Sequence, residues 1–254
     1  AGTNPGVGDT DGDGLLDGAE VTLGSNPLNP DTDGDTLNDG MEVAFGTDVN
    51  DPDTDGDGLT DGHEVTLAAG SGCPNPLVMD SDGDLLADST EVINGTNPCD
   101  ADTDHDGLGD NAEAAFGTSP TNSDSDSDGL LDGAEVTLAN GSGCPSPTNP
   151  DSDADGIDDG NELTAGLGPC DADSDDDSLA DGNEATYGTD PNDPDTDNDG
   201  VLDGAEVDAA MGTGCPDPLT ADSDGDSLSD GAEITQGSSP CAADTDGDGF
   251  NDAI

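Results

Sequence analysis

One twelve-residue pattern recurs along this chain and limits its fold more than any other feature. The pattern Asp-x-Asp-x-Asp-x-x-x-Asp-x-x-Glu occurs ten times without a substitution, and an eleventh copy stops before its Glu. The copies start at Asp9, Asp31, Asp53, Asp80, Asp102, Asp124, Asp151, Asp173, Asp195, Asp222 and Asp244. Their spacings rotate through 22, 22 and 27 residues, which makes a 71-residue unit starting at positions 9, 80, 151 and 222. This periodicity predicts a continuous tandem array of eleven repeats over 1–254, with the last repeat truncated.

No Lys or Arg side chain balances the negative charge of this chain. The sequence contains 64 Asp and Glu and no Lys or Arg, so its formal net charge is −64. Two unit charges about 4 Å apart repel by about 4 kcal/mol at an effective dielectric constant of about 20. A native fold is stable by only about 5–15 kcal/mol. An external cation must therefore neutralise the carboxylate clusters.

The composition also excludes a single large apolar core. Only 28% of the residues are hydrophobic and 2% are aromatic, which is well below the usual share for globular domains. The lack of basic residues argues against nucleic-acid binding, and no apolar run is long enough for membrane insertion. We predict a repetitive, solenoid-like, calcium-stabilised rod with mostly irregular loops, short helical turns and little regular secondary structure.

The spacing of the acids is typical of a calcium loop. Ca²⁺ takes six to eight oxygens at about 2.3–2.6 Å, and acids at positions 1, 3, 5, 9 and 12 with a backbone carbonyl at position 7 supply them. Mg²⁺ demands a tighter octahedron, and Zn²⁺ favours His or Cys, which do not recur in these loops. A salt-adapted surface or a disordered acidic tail does not require acids at fixed loop positions. We predict about one or more Ca²⁺ per repeat.

The predicted ligands follow directly from the pattern. At position 1 they are the eleven starting Asp residues. At position 3 they are Asp11, Asp33, Asp55, Asp82, Asp104, Asp126, Asp153, Asp175, Asp197, Asp224 and Asp246. At position 5 they are Asp13, Asp35, Asp57, Asp84, Asp106, Asp128, Asp155, Asp177, Asp199, Asp226 and Asp248. At position 9 they are Asp17, Asp39, Asp61, Asp88, Asp110, Asp132, Asp159, Asp181, Asp203, Asp230 and Asp252.

Two further positions complete each predicted site. The bidentate Glu at position 12 is Glu20, Glu42, Glu64, Glu91, Glu113, Glu135, Glu162, Glu184, Glu206 and Glu233. The carbonyl ligand at position 7 belongs to an apolar residue, namely Leu15, Leu37, Leu59, Leu86, Leu108, Leu130, Ile157, Leu179, Val201, Leu228 and Phe250. We expect the carbonyl to face the ion while the side chain packs.

Position 6 predicts differences among the loops. Seven loops have Gly there, whereas Thr36, Leu85, Ser178 and Ser227 occupy it in the other four. A left-handed conformation costs a non-Gly residue about 1–2 kcal/mol. We predict that these four loops bind most weakly.

A short helix is expected after each loop. The Asp at position 9 and the Glu at position 12 have the spacing of an N-cap and its capping-box partner, as in Asp17 and Glu20, and apolar residues follow. Gly at position 16, for example Gly24, predicts the helix end in every 22-residue copy. Each helix is therefore predicted to have one or two turns.

The six cysteines follow the same 71-residue period. They fall into pairs 26 residues apart, namely Cys73 with Cys99, Cys144 with Cys170 and Cys215 with Cys241. Disulfides are therefore predicted for these pairs, and they imply an oxidising, extracellular compartment. Free buried thiols are the alternative.

The segment DTDGDGLLDGAE from Asp9 to Glu20, followed by VTLGSNPLNPD, resembles thrombospondin type 3 repeats of bacterial and archaeal surface proteins. The resemblance covers almost the whole chain. It implies a calcium-wrapped polypeptide with disulfides between neighbouring repeats and a secreted or cell-surface setting. Animal members commonly end the loop in Asp, so the number of ions per repeat stays open. Oxygens for a second ion are offered two residues before some loops by Asn29, Asp51, Asp100, Asn122, Asn149, Asp171 and Asp193.

The leading functional hypothesis is structural. Calcium is expected to turn a self-repelling chain into a rigid stalk, spacer or fibre shaft on a microbial cell surface, with further copies of the chain as partners in a fibre. The alternative is a high-capacity calcium store or mineral-nucleating acidic protein, which binds ions in bulk.

No residue set for catalysis is visible, and we expect no enzyme activity. His63 and His105 occupy different loop positions and belong to no recurring site, so we interpret them as solvated surface residues. Asn94-Gly-Thr and Asn140-Gly-Ser match the acceptor pattern for glycans, which is a pattern of low specificity.

Overall fold

The computed structural model describes residues 2–212 and 214–253. Within these ranges the chain forms ten short helices and no strand, and two isolated β-bridges join Ser119 to Asn122 and Ser146 to Asn149. The helices are α1 (Asp17–Leu23), α2 (Asp39–Phe45), α3 (Asp61–Ala68), α4 (Asp88–Asn94), α5 (Asp110–Phe116), α6 (Asp132–Ala139), α7 (Asp159–Ala165), α8 (Asp181–Tyr187), α9 (Asp203–Ala210) and α10 (Asp230–Gln236). This confirms the predicted class of irregular loops with short helical turns.

Each helix begins one residue earlier than the capping pattern predicted. The Asp at position 9 is the first helical residue, and the N-cap is the residue before it, for example Leu16 with φ −84° and ψ 142°. The capping-box prediction is therefore wrong. The physical reason is that the Asp17 carboxylate accepts hydrogen bonds from Thr10 of its own loop, so it is not directed at the first turn of the helix.

The predicted helix ends are confirmed. At position 16 the glycine adopts a left-handed conformation, as at Gly24 with φ 92°, and its N–H donates to the Glu20 carbonyl at 2.7 Å. The three helices before the long connections have eight residues instead of seven. The C-cap residues that follow them, Ala69, Asn140 and Met211, have φ of 46° or 45°.

The chain divides into two compact units, residues 1–123 and 124–254. The first unit contains loops one to five and the second contains loops six to eleven. In both units the largest fully buried side chains belong to Glu at position 12, and the buried apolar side chains are small in number. Those in the first unit are Leu37, Val49, Leu59, Ala68 and Leu108, and those in the second are Ala139, Leu167, Leu179 and Ala210. Carboxylates therefore occupy the place of an apolar core.

All six cysteines form the predicted disulfides. The bonds are Cys73–Cys99 in the first unit, and Cys144–Cys170 and Cys215–Cys241 in the second. The first Cys of each pair precedes a cis-proline, namely Pro74, Pro145 or Pro216. None of the helices formed by the described residues has the length and apolar character needed to span a bilayer.

Candidate metal centres

The first half of each loop wraps around its own carboxylates. In the first copy Asp9 accepts the Gly12 N–H at 2.7 Å and the Gly14 N–H at 3.2 Å, and Asp13 accepts the Leu15 N–H at 2.7 Å. Asp9, Asp11 and Asp13 each offer an oxygen atom, and these oxygens lie within 4.8 Å of one another. The same grouping occurs at positions 1, 3 and 5 of the loops that start at Asp31, Asp53 and Asp80.

This wrapping depends on left-handed residues at two loop positions. The sequence predicted the conformation at position 6, and the structure confirms it in all four loops without Gly there. Their φ values are 85° at Thr36, 82° at Leu85, 82° at Ser178 and 86° at Ser227. Position 4 is also left-handed, with φ 84° at Gly12, and sequence reasoning missed it. Five loops carry a non-glycine at position 4, namely His105, Ser127, Ala154, Asp176 and Asn198.

The Glu at position 12 has the most demanding environment. All ten of these side chains are 0% exposed. Among the described residues, both carboxylate oxygens lack a hydrogen-bond partner in nine of them, and one oxygen lacks it in Glu91. A buried ionised carboxylate without a partner is strongly unfavourable. At position 3, both oxygens of Asp11, Asp104 and Asp126 are also buried and unpartnered, whereas in other copies, such as Asp33, one oxygen accepts the position 5 N–H. This donor set fits a hard cation that prefers oxygen ligands, which is the chemistry of Ca²⁺.

The electrostatics of the pocket lead to the same conclusion. Burial, together with the charges of Asp33 and Asp35, raises the pKa of Glu42 to about 8. Burial and neighbouring carboxylates raise the pKa of Glu20 and Glu233 only to about 7. Without a cation the pocket therefore favours protonated Glu near neutral pH, whereas a divalent ion among these oxygens favours the ionised form.

Neighbouring repeats share this pocket. Within each unit most Asp residues at position 5 use their second oxygen to accept the N–H of position 10 in the next repeat, as in Asp13 with Gly40 at 3.0 Å. Asp84 is an exception, because its Oδ2 has no hydrogen-bond partner among the described residues. Asp39 from the second repeat lies with Asp13 and Glu20 from the first, and oxygens of the three lie within 4.8 Å. The position 9 carboxylate therefore lies beside the position 5 and position 12 carboxylates of the preceding loop.

The close approach between repeats explains glycine at position 10. A Cβ on Gly40 would lie 2.6 Å from the Asp13 carbonyl oxygen, whereas a Cβ on Gly18, which has no loop before it here, would meet nothing within 4 Å. Three copies have a non-glycine residue at this position. In the eleventh copy the Ala253 N–H donates to the Asp226 carboxylate at 3.1 Å, and the other two residues bond the carbonyl. Ser89 Oγ donates to the Asp57 carbonyl at 2.6 Å, and the Asn111 amide donates to the Asp84 carbonyl.

The other predicted site residues are placed as follows. At position 7 the backbone N–H donates to the position 5 carboxylate, and side chains such as Leu37 and Leu59 are buried. The position 7 carbonyl stays a predicted ligand.

Among the residues that precede the loops, the Asn149 side-chain amide donates to the Asp151 carbonyl at 2.7 Å. His63 and His105 are exposed, and His105 Nε2 lies 3.5 Å from Asp100 Oδ2.

Comparison with known proteins agrees with this geometry. The family model described as Bacterial TSP3 repeat matches well over half of the chain. The matched residues are 9–30, 31–52, 53–67, 80–101, 102–123, 124–140, 173–194, 195–213, 222–240 and 244–254. The loop that starts at Asp151 lies outside these matches although it carries the same acids. A search of curated proteins found no match to the chain.

Proposed function

The chain belongs to the Bacterial TSP3 repeat family of calcium-binding structural repeats, and on that premise we propose that it is a calcium-stiffened stalk, spacer or fibre shaft outside the cell. One observation carries the proposal. The interior of the repeats consists of fully buried, unpartnered Glu carboxylates where other proteins have apolar side chains. Once these carboxyls are ionised, such an interior is stable only when cations fill it.

Calcium suits both the donors and the setting. The buried donors of each loop are carboxylate oxygens, and the disulfides indicate an oxidising compartment, where structural modules bind Ca²⁺ at about 10⁻⁴–10⁻³ M. We propose at least one ion per loop, held by the carboxylates of positions 1, 3, 5, 9 and 12 and the carbonyl of position 7. In this proposal calcium supplies the positive charge, and the chain supplies the oxygen ligands that surround it.

Stiffness follows from the contacts between neighbours. The position 5 carboxylate joins its own loop to the next helix, as in the pairs Asp35–Gly62 and Asp177–Gly204. When calcium binds such a carboxylate it fixes the geometry of two repeats at once. The family is structural rather than enzymatic. We place the array at a microbial cell surface, with further copies of the chain as partners in a fibre.

Small-angle scattering with calcium and with EGTA tests the proposal. We expect an elongated, ordered particle with calcium and an expanded, unfolded chain after chelation. A calcium titration should show saturation at a whole number of ions per loop. An unchanged scattering profile after complete calcium removal would contradict the structural role and favour a high-capacity calcium store.

A further inference from the structure

A hydroxyl at loop position 2 occurs in every repeat. The residues are Thr10, Thr32, Thr54, Ser81, Thr103, Ser125, Ser152, Ser174, Thr196, Ser223 and Thr245. In each copy the backbone N–H of this residue donates to one oxygen of the position 9 Asp, and in ten copies its hydroxyl donates to the other oxygen. For Thr54 and Asp61 the two distances are 2.9 and 2.6 Å. This pair of bonds holds the position 9 carboxylate in one orientation.

The hydroxyl is itself fixed by the chain before the loop. The Thr54 oxygen accepts the Asp48 N–H at 2.9 Å, and the Thr32 oxygen accepts the Asn26 N–H at 2.9 Å. Because the hydroxyl oxygen accepts from the backbone, its single proton is directed at the carboxylate. The side chain therefore acts as a fixed donor rather than as a freely rotating group.

The position 9 carboxylate faces the loop before its own. Asp39 is 0% exposed and lies with Asp13 and Glu20 of the preceding loop, whereas Asp17, with no loop before it in this chain, is half-buried. Glu20 is fully buried, and both of its oxygens lack a partner. An unpartnered, buried Glu inside the same cluster indicates a cation between the two repeats.

Hydrogen bonds from position 2 are compatible with metal binding by position 9. Each carboxylate oxygen has two lone pairs, so one bond to each oxygen leaves further acceptor sites for a cation. Carboxylate ligands are commonly held by such outer hydrogen bonds, and loss of these bonds weakens metal affinity by about 10–100-fold.

We propose that the position 2 hydroxyl is a positioning residue that holds the position 9 Asp as a ligand for the calcium ion of the preceding repeat. The inference rests on the proposed calcium-binding function. In the simple calcium-loop pattern the position 9 Asp binds the ion of its own loop. In our proposal it binds the ion of the preceding loop, so each ion depends on a hydroxyl in the next repeat along the chain.

The test compares Thr54→Val with Thr10→Val in a protein of these 254 residues. Both substitutions remove the same hydroxyl and keep a similar shape, but within these residues only Thr54 has a loop before its own. Amide NMR signals from Gly34, Gly56 and Gly12 report on loops two, three and one during stepwise calcium removal. We expect Thr54→Val to weaken calcium binding in loop two by about 10–100-fold. Thr10→Val should leave loop one unchanged, and Thr54→Ser should restore loop two.

Other outcomes separate the two proposals. If Thr54→Val weakens loop three alone, or if neither variant changes any loop, the positioning role is wrong while calcium binding stands. Failure of every wild-type loop to respond to calcium would overturn the proposed function as well. If Thr54→Val does not fold, Asp61→Asn provides the test, since it keeps an acceptor for Thr54 but removes the charge. The same selective loss in loop two is expected, and an unaffected loop two contradicts the proposal.

Discussion

The first and second loops have the same acids at the same spacing, yet their environments differ. In the second loop Asp39 is fully buried and Gly40 lies against the Asp13 carbonyl, whereas in the first loop Asp17 is half-buried and Gly18 has open space beside it. Burial raises the pKa of Glu42 to about 8 and that of Glu20 only to about 7. A loop of this kind is therefore not self-contained, because its environment depends on the neighbouring repeat.

The largest expected effect is a reversal of the pH dependence of stability when calcium is removed. Unfolded Glu has a pKa of 4.5, and burial raises that of folded Glu42 to about 8. Without cations, the folded state binds more protons than the unfolded state between these values. Its stability is therefore greatest below pH about 4.5 and is lost as pH rises through about 8.

Calcium requires the ionised carboxylates, so the calcium-loaded fold should instead lose stability as pH falls over the same range. Thermal unfolding of metal-stripped and calcium-loaded protein across this range measures both slopes. Slopes of the same sign in both forms would refute the expectation.

A smaller effect is expected from alanine at position 10. Gly40→Ala places a Cβ 2.6 Å from the Asp13 carbonyl oxygen, and overpacking of this kind costs about 1–3 kcal/mol. Gly18→Ala meets no neighbour and should gain about 0.5–1 kcal/mol, since Ala favours a helix more than Gly does. Thermal unfolding with saturating calcium, with hydrogen exchange of the two loops, compares the variants. If Gly40→Ala and Gly18→Ala changed stability equally, the close contact with the preceding repeat would not distinguish the second loop from the first.

The smallest effect should come from loop conformation alone. Leu85 is 84% exposed and has φ 82° at position 6, so Leu85→Gly should relieve about 1–2 kcal/mol of strain. Ile93 is a matched control in the same repeat, because it is 83% exposed but lies inside helix α4. Ile93→Gly should lose about 0.5–1 kcal/mol. Calcium affinity of the fourth loop and thermal stability measure the outcome, and a destabilised Leu85→Gly would show that position 6 carries no strain.

The sequence predicted most of the features that recur at fixed offsets along the chain. The acid spacing, the helix end at Gly24 and the pairing of Cys73 with Cys99 all depend on residues at fixed offsets in a recurring pattern. The continuous eleven-repeat organisation stays a prediction, as does the metal role of each carboxylate. The compositional limit on an apolar core is also visible in the structure, where Glu side chains are the largest that are fully buried.

The contacts between repeats could not be predicted from one loop. The bonds from Gly40 to Asp13 and from Ser89 to Asp57 join residues 27 and 32 positions apart. Local spacing also misplaced the helix start, because the Asp17 carboxylate binds Thr10. The sequence did contain a signal for this contact, since every copy has Ser or Thr at position 2. Comparison among the copies would have singled it out.

The shared carboxylate at position 5 has a consequence for length. Each contact of the Asp13–Gly40 kind needs one residue from either side, so the number of complete junctions in a run of loops is one less than the number of loops. An isolated repeat has none, and a cut at such a junction removes contacts that neither side can make alone. Cohesion per residue therefore grows as loops are added, and it does so most steeply over the first few.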